Sequence, residues 1–149
     1  MNNFIYNIPT KVYFGENQLI HLCEELKKFG TRVLLTYGGG SIKKISLYDK
    51  IMAEMNKNGF EVFELSGIEP NPRIDSVRKG AQMCKEHNID VLLAVGGGST
   101  IDATKFMAAG ALVDHDPWDF FNEKRATIND ALPIVSILTL SATGSEMDT

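Results

Sequence analysis

The chain has little of what several function classes require. It carries two cysteines in 149 residues, Cys23 and Cys84, far apart and in no CxxC pair. Both fall on the apolar faces of expected helices, which points to buried free thiols in a reducing compartment and away from a disulfide scaffold. The three histidines, His21, His87 and His115, are scattered, and neither HExxH nor a spaced His pair occurs. No metal centre is therefore legible from spacing. Asp114-His115-Asp116 reads as a solvated turn, because adjacent side chains point in different directions. His21 and His87 read as helix-surface residues, and the single Trp118 as a packing residue. No nucleophile–base pair stands out. Basic excess is also missing: the net charge is −4, which argues against nucleic acid as a partner. No apolar run approaches membrane-spanning length. MNNFIYNIP lacks the basic-then-apolar pattern of a secretory signal, so the expected location is the cytoplasm. There is no internal repeat and no low-complexity segment.

What is present is ordinary globular composition, 44% hydrophobic and 23% charged, with enough length for one domain and a real core. Residues 4–8 (FIYNI) and 11–15 (KVYFG) read as two short strands around Pro9-Thr10, an N-terminal β-hairpin. Asn17 can cap a helix with Leu19, Leu22, Cys23 and Leu26 on its apolar face, ending near Gly30. Arg32–Tyr37 is a buried strand, followed by Gly38, Gly39, Gly40 and Ser41. A helix with Leu47, Ile51, Met52 and Met55 on one face stops at Gly59, and residues 60–65 alternate as a strand. Asn71-Pro72 reads as a cap with proline at the first helical position. It opens a helix with Ile74, Val77, Ala81 and Cys84 in its stripe. Residues 114–121 form a loop with one helical turn, and Ile134–Leu138 is a last strand before the hydroxyl-rich TLSATGSEMDT.

The segment organising all of this is Val91–Lys105, VLLAVGGGSTIDATK. Its apolar run suits a strand buried on both faces. Gly96, Gly97 and Gly98 break the run, Ser99 is a good N-cap, and Asp102 stands three residues later in capping-box position. A strand, a glycine turn and a helix N-terminus together suit an anion. The spacing is not G-x-G-x-x-G, and a GGGS turn also occurs in α/β proteins without such a ligand. Alternating strands and helices predict an α/β fold with a doubly wound, Rossmann-like parallel sheet. Both GGGS turns and TLSATGSE then fall on one edge, where ligands of such sheets bind. Lys43 and Lys44 after the first turn fit either a solvated helix start or a phosphate pocket. Thr139, Ser141, Thr143 and Ser145 fit either caps or contacts to an amide or ribose.

GGGSTIDATK (96–105), EPNPR (69–73) and TLSATGSEM (139–147), with IPTKVYFG (8–15), TYGGGSIKK (36–44) and SILTLSATGSEMD (136–148), resemble the iron-containing alcohol dehydrogenases. Within them they are most similar to the butanol dehydrogenase-like branch. The resemblance runs along the whole chain, and SATGSEM separates it from the related glycerol dehydrogenase and dehydroquinate synthase group. It implies an oxidoreductase moving hydride between NAD(P)H and an aldehyde or primary alcohol. Residues 1–149 would be the dinucleotide-binding domain. A C-terminal helical domain beyond Thr149 would hold Fe²⁺ or Zn²⁺ through one Asp and three His.

Carried over, Gly97, Gly98 and Ser99 would bind the pyrophosphate, and Asp102 would lie near the nicotinamide ribose and substrate as the one candidate catalytic residue. Thr139, Ser141 and Thr143 would line the adenine and ribose side, Asn71 would approach the adenosine phosphate end, and Gly38, Gly39 and Ser41 would surround the adenosine ribose. NAD-specific members carry an Asp at what aligns with Gly38. Its absence, with Lys43 and Lys44 nearby, leads to an expectation of NADP(H) over NAD(H). The 149 residues alone are expected to be catalytically inactive, to expose apolar surface along the cleft and to self-associate, with a homo-oligomer as the working state. The alternative is a stand-alone nucleotide-binding module without chemistry.

Overall fold

The computed structural model describes residues 9–142 and 144–147. Four strands, β1 (Arg32–Tyr37), β2 (Glu61–Leu65), β3 (Val91–Gly96) and β4 (Ile134–Leu138), form one parallel sheet in the order β2-β1-β3-β4. β3 is buried along its whole length and β1 at all but its first residue, while β2 and β4 are partly exposed. This is the burial expected of two central and two edge strands.

The helices are α1 (Leu22–Lys27), α2 (Ser41–Lys44), α3 (Leu47–Lys57), α4 (Ile74–Glu86) and α5 (Gly98–Gly110). Leu26, Ile42, Ile51 and Met55 pack with Val33, Leu35, Leu93 and Val95 on one face of the sheet. Val77, Cys84, Ala103, Met107 and Ala108 pack with Leu34 and Leu92 on the other. Alternate residues of β1 and β3 thus feed two cores, and each fully buried leucine contributes about 1.5–3 kcal/mol. The fold is the expected doubly wound α/β arrangement. Both thiols are buried and free. Among the described residues no helix is long and apolar enough to cross a membrane.

Several local expectations need correction. Residues 11–15 carry no strand, and 4–8, the other half of the expected hairpin, lie outside the described residues. Val12 and Phe14 are exposed, and side chains anchor the segment instead of a backbone ladder. Lys11 and Tyr13 both bind Glu25 of α1, and the Tyr13 ring stacks on His21. Asn17 is left-handed and caps nothing, and a 3₁₀ turn, Gln18–His21, precedes α1. Asn71 is also left-handed (φ 54°), and α4 starts later, with Arg73 at its N-cap. Asn71 and Pro72 therefore belong to the loop. Trp118 does pack, on the Phe121 ring, but at the surface, where it stays 47% exposed. Asp116 is no idle turn residue. It caps the 3₁₀ turn Pro117–Phe120 through the Trp118 N–H and takes a two-pronged hydrogen bond from Arg78.

The Glu25 anchor has a consequence for acid. Hydrogen bonds from Lys11, then Lys28, then Tyr13 hold its carboxyl down to about 2, from the usual 4.5. A carboxylate lowered by folding stabilises above its unfolded pKa and loses that contribution as pH falls towards its folded one. The backbone of residues 11–14, held only through these side chains, should therefore gain mobility between pH 4.5 and about 2, read as a fall in the heteronuclear ¹H–¹⁵N NOE. Glu25→Gln should show the lowered NOE already at pH 7.

Candidate dinucleotide site

Chain order decides where the site lies. From β1 the chain moves outward to β2, then crosses to β3 on the other side of β1. The crevice between the carboxyl ends of β1 and β3 is the switch point of the sheet, where such folds take ligands. The two GGGS turns leave these two neighbouring strands, whose last paired residues are Tyr37 and Val95.

At the β3 turn, a Cβ on Gly96 would stand 2.5 Å from Thr100 Oγ1. Only glycine lets the first turn of α5 fold back so closely on the strand. Gly97, not Ser99, is the N-cap of α5, and no side chain caps the helix. The expected capping box of Ser99 and Asp102 is therefore absent. Ser99 is the second helical residue, and Asp102 lies a turn further on, half-buried. Thr100 and Ile101 N–H donate to the Gly97 carbonyl at 3.0 and 3.3 Å. The earlier N–H groups of Gly98 and Ser99 have no intrahelical acceptor, as at any helix start. They stand at the positive end of a 13-residue helix. A Cβ on Gly97 would meet only Leu140 Cβ, at 3.9 Å, so the space over the turn is open.

At the β1 turn, Gly67 N–H donates to the Gly38 carbonyl and Ile68 N–H to that of Tyr37, each at 3.2 Å. These bonds strap the loop that carries Asn71 to the turn. Nothing lies within 4 Å of a Cβ on Gly39 or Gly40. Ser41, exposed, opens α2. Thr139 follows β4 and donates its N–H to the Gly96 carbonyl at 2.9 Å. Thr139 and Ser141 are exposed, and Thr143 lies outside the described residues. Gly38, Gly39, Ser41, Asn71, Gly97, Gly98, Ser99, Thr139 and Ser141 thus all lie beyond the carboxyl ends of the strands, with Asp102 one helical turn behind.

Two groupings escaped the sequence. Glu64 on β2 accepts hydrogen bonds from the phenols of Tyr37 and Tyr48, at 2.8 and 2.7 Å, and Lys43 Nζ lies over both rings. Period-2 alternation sets Glu64 on the same face as Phe60 and Val62, but a local pattern names no partner. Behind the β3 turn, the buried hydroxyls of Thr36 and Thr104 lie 2.7 Å apart, and Thr104 donates to the Thr100 carbonyl. The hydroxyl–hydroxyl bond ties α5 to β1 inside the core, and the Leu93 carbonyl lies 3.4 Å from the Thr36 hydroxyl.

The residues fit a dinucleotide: uncapped donors, bare glycine backbone and open space meet at one crevice. They do not fit a metal. Among the described residues no three His, Cys, Asp or Glu side chains converge on a point. The histidine rings pack against Tyr13, Phe63 and Phe120. Burial pushes the Cys84 thiol up to about 12 and raises that of Cys23, so neither is a ready thiolate ligand.

Comparison with known proteins places this geometry. The model of the family described as iron-containing alcohol dehydrogenase matches residues 9–149. NADH-dependent butanol dehydrogenase A of Clostridium acetobutylicum is 53% identical over 148 residues, which are 99% of this chain and 38% of that protein. NADPH-dependent aldehyde reductase YqhD of Escherichia coli is 41% identical over 98% of this chain and 38% of its own. The crystal structure of NADH-dependent butanol dehydrogenase A from Thermotoga maritima superposes with a TM-score of 0.92 at 44% identity, covering 99% of this chain and 37% of that one. The chain thus spans somewhat over a third of the length of these relatives. Because the family match runs unbroken through both glycine turns and the hydroxyl-rich end, the chain belongs to the iron-containing alcohol dehydrogenase family.

Proposed function

We propose that these residues are the dinucleotide-binding half of an oxidoreductase that moves hydride between NAD(P)H and an aldehyde or primary alcohol. The observation carrying this reading is the pair of glycine turns on the adjacent strands β1 and β3, the second opening an uncapped helix. The N–H groups of Gly98 and Ser99, with Gly97 kept bare, would hold the pyrophosphate. Gly38, Gly39 and Ser41 would surround the adenosine ribose, with Asn71 on the loop strapped to them. Thr139, Ser141 and Thr143 would line the far side, and Asp102 would stand nearest the nicotinamide. The bound nicotinamide supplies or accepts the hydride. No step is assigned to the family's metal, since the described residues form no site for it. The rest of the pocket, and the homo-oligomer, belong to the proposal as well.

Within that reading NADP(H) is preferred over NAD(H). Gly38 to Ser41 carry no acid to accept the ribose 2′-OH or repel a 2′-phosphate, and two lysines follow. A hydrogen bond to a charged group is worth roughly 1.5–3 kcal/mol, a preference of about tenfold or more. The competing reading, NAD(H), has a specific support: the relative at 53% identity is named NADH-dependent, and the NADPH-dependent one stands at 41%. Fluorescence titration with NADPH and NADH separates the two. Gly39→Asp is the better variant, because a Cβ there meets nothing, whereas one at Gly38 comes 3.2 Å from the Ile68 carbonyl oxygen. The variant should move preference towards NADH by about tenfold. Equal affinities in the parent would sink the NADP(H) assignment.

A further inference from the structure

A lysine on a short exposed helix is ordinarily free to wander, and Lys43 is not. Its Nζ lies 4.5 Å from the Tyr48 ring centroid and 5.4 Å from that of Tyr37, within cation–π range of both. The rings come from separate elements: Tyr37 ends β1, and Tyr48 is the second residue of α3. They meet at 5.8 Å with a 58° tilt. Neither is free to swing, because one carboxylate on β2 holds both. Glu64 Oε2 accepts from Tyr37 and Oε1 from Tyr48. A phenol donating to a carboxylate carries more electron density on its ring face, which strengthens its hold on a cation. The same bond pushes the Tyr48 hydroxyl up to about 12, so it remains a donor throughout the neutral range. The charge so held sits on α2, three residues past Gly40, and both Gly39 and Gly40 of the turn before it face open space.

We propose that Tyr48 and Tyr37, clamped by Glu64, are positioning residues for Lys43 and so set the preference for a 2′-phosphorylated dinucleotide. The inference rests on the reading of the β1 turn as the adenosine-ribose site. A pre-placed ammonium loses less freedom on meeting a phosphate than a mobile one, and that gain is absent for a ribose bearing only a hydroxyl.

The test is the ratio of NADH to NADPH dissociation constants for the full chain. Lys43→Met and Tyr48→Leu should each lower the ratio about fivefold, mostly by weakening NADPH. The double variant should fall no further than Lys43→Met alone, since both changes remove one interaction. Glu64→Gln provides a second route should Tyr48→Leu fail to fold by circular dichroism. The amide removes a negative charge near the turn, which by itself would favour NADPH, yet it offers one acceptor oxygen for two phenols. A fall in the ratio is then the loss of positioning, and an unchanged or raised ratio overturns the proposal. So does full additivity in the double variant. A parent ratio near one overturns the 2′-phosphate reading and this inference with it. A parent preference that survives Tyr48→Leu overturns this inference alone.

Discussion

Gly97→Asp should leave the fold standing and cut dinucleotide affinity by about a hundredfold. The backbone at Gly97 (φ −88°, ψ −172°) is open to any residue, and a Cβ would find its nearest neighbour at 3.9 Å. Aspartate is also a good N-cap, and α5 has no side-chain cap. Its carboxylate would accept the first-turn N–H groups and stabilise the unliganded protein by about 0.3 kcal/mol, since glycine is itself a fair N-cap. Those are the donors proposed for the pyrophosphate, so the variant would consume them. It would also set a negative charge against the phosphates. Two unit charges 4 Å apart cost about 4 kcal/mol at an effective dielectric of 20. Discounting by about a third for the open crevice leaves close to the 2.7 kcal/mol of a hundredfold loss. Gly97→Ser, a cap without charge, should lose less. The expected pairing is a raised melting temperature with weakened NADH and NADPH binding in calorimetric titration. Parent-like affinity in the aspartate variant would show that the phosphates do not sit at this turn.

Gly30→Ala should be strongly destabilising, costing about 3 kcal/mol or more. Gly30 precedes β1 at φ +151°, a region side chains rarely adopt. A Cβ there would stand 2.2 to 2.4 Å from Oδ2, Cγ and Cβ of Asp90. Asp90 closes the amino-terminal end of the sheet: its Oδ2 accepts the N–H groups of Thr31 and Arg32, each at 2.9 Å. Backbone strain of about 1–3 kcal/mol adds to the loss of hydrogen bonds to a charged acceptor, about 1.5–3 kcal/mol. Asp90→Ala alone should cost about 2 kcal/mol, and the double variant less than the two together, because the clash has gone. Urea denaturation measures all three. Because this clamp lies at the edge opposite the glycine turns, dinucleotide affinity of the folded fraction should be unchanged. A cost under 1 kcal/mol for Gly30→Ala would mean that the segment before β1 yields easily.

Much of the frame was legible because it rests on local signals. Arg32–Tyr37 and Ile134–Leu138 have the same bounds in the sequence pattern as in the structure, since short apolar runs flanked by Gly, Pro or Thr leave little choice of period. The stripe Val77, Ala81 and Cys84 likewise announced its helix. Caps were less legible. Asn17, Asn71 and Ser99 all have the chemistry of an N-cap, but a cap depends on backbone dihedrals. Two of these residues are left-handed, and the third sits inside the first turn of α5.

From its own residues the sequence determined the fold class, the two glycine turns and the edge of the sheet they share, because hydrophobic period and glycine placement act over a few residues. It also carried the family, through motifs spread along its length. Only the tertiary structure decided that β1 and β3 are neighbours, and hence that the two turns border one crevice. Strand order is set by which faces two cores can bury, and no local pattern records it. The Glu64 clamp on Tyr37 and Tyr48 was hidden for the same reason. So were the Thr36–Thr104 bond and the Asp90 closure beside Gly30. Each joins residues far apart in the chain, whose meeting depends on the register of parallel strands and on the helices packed across them.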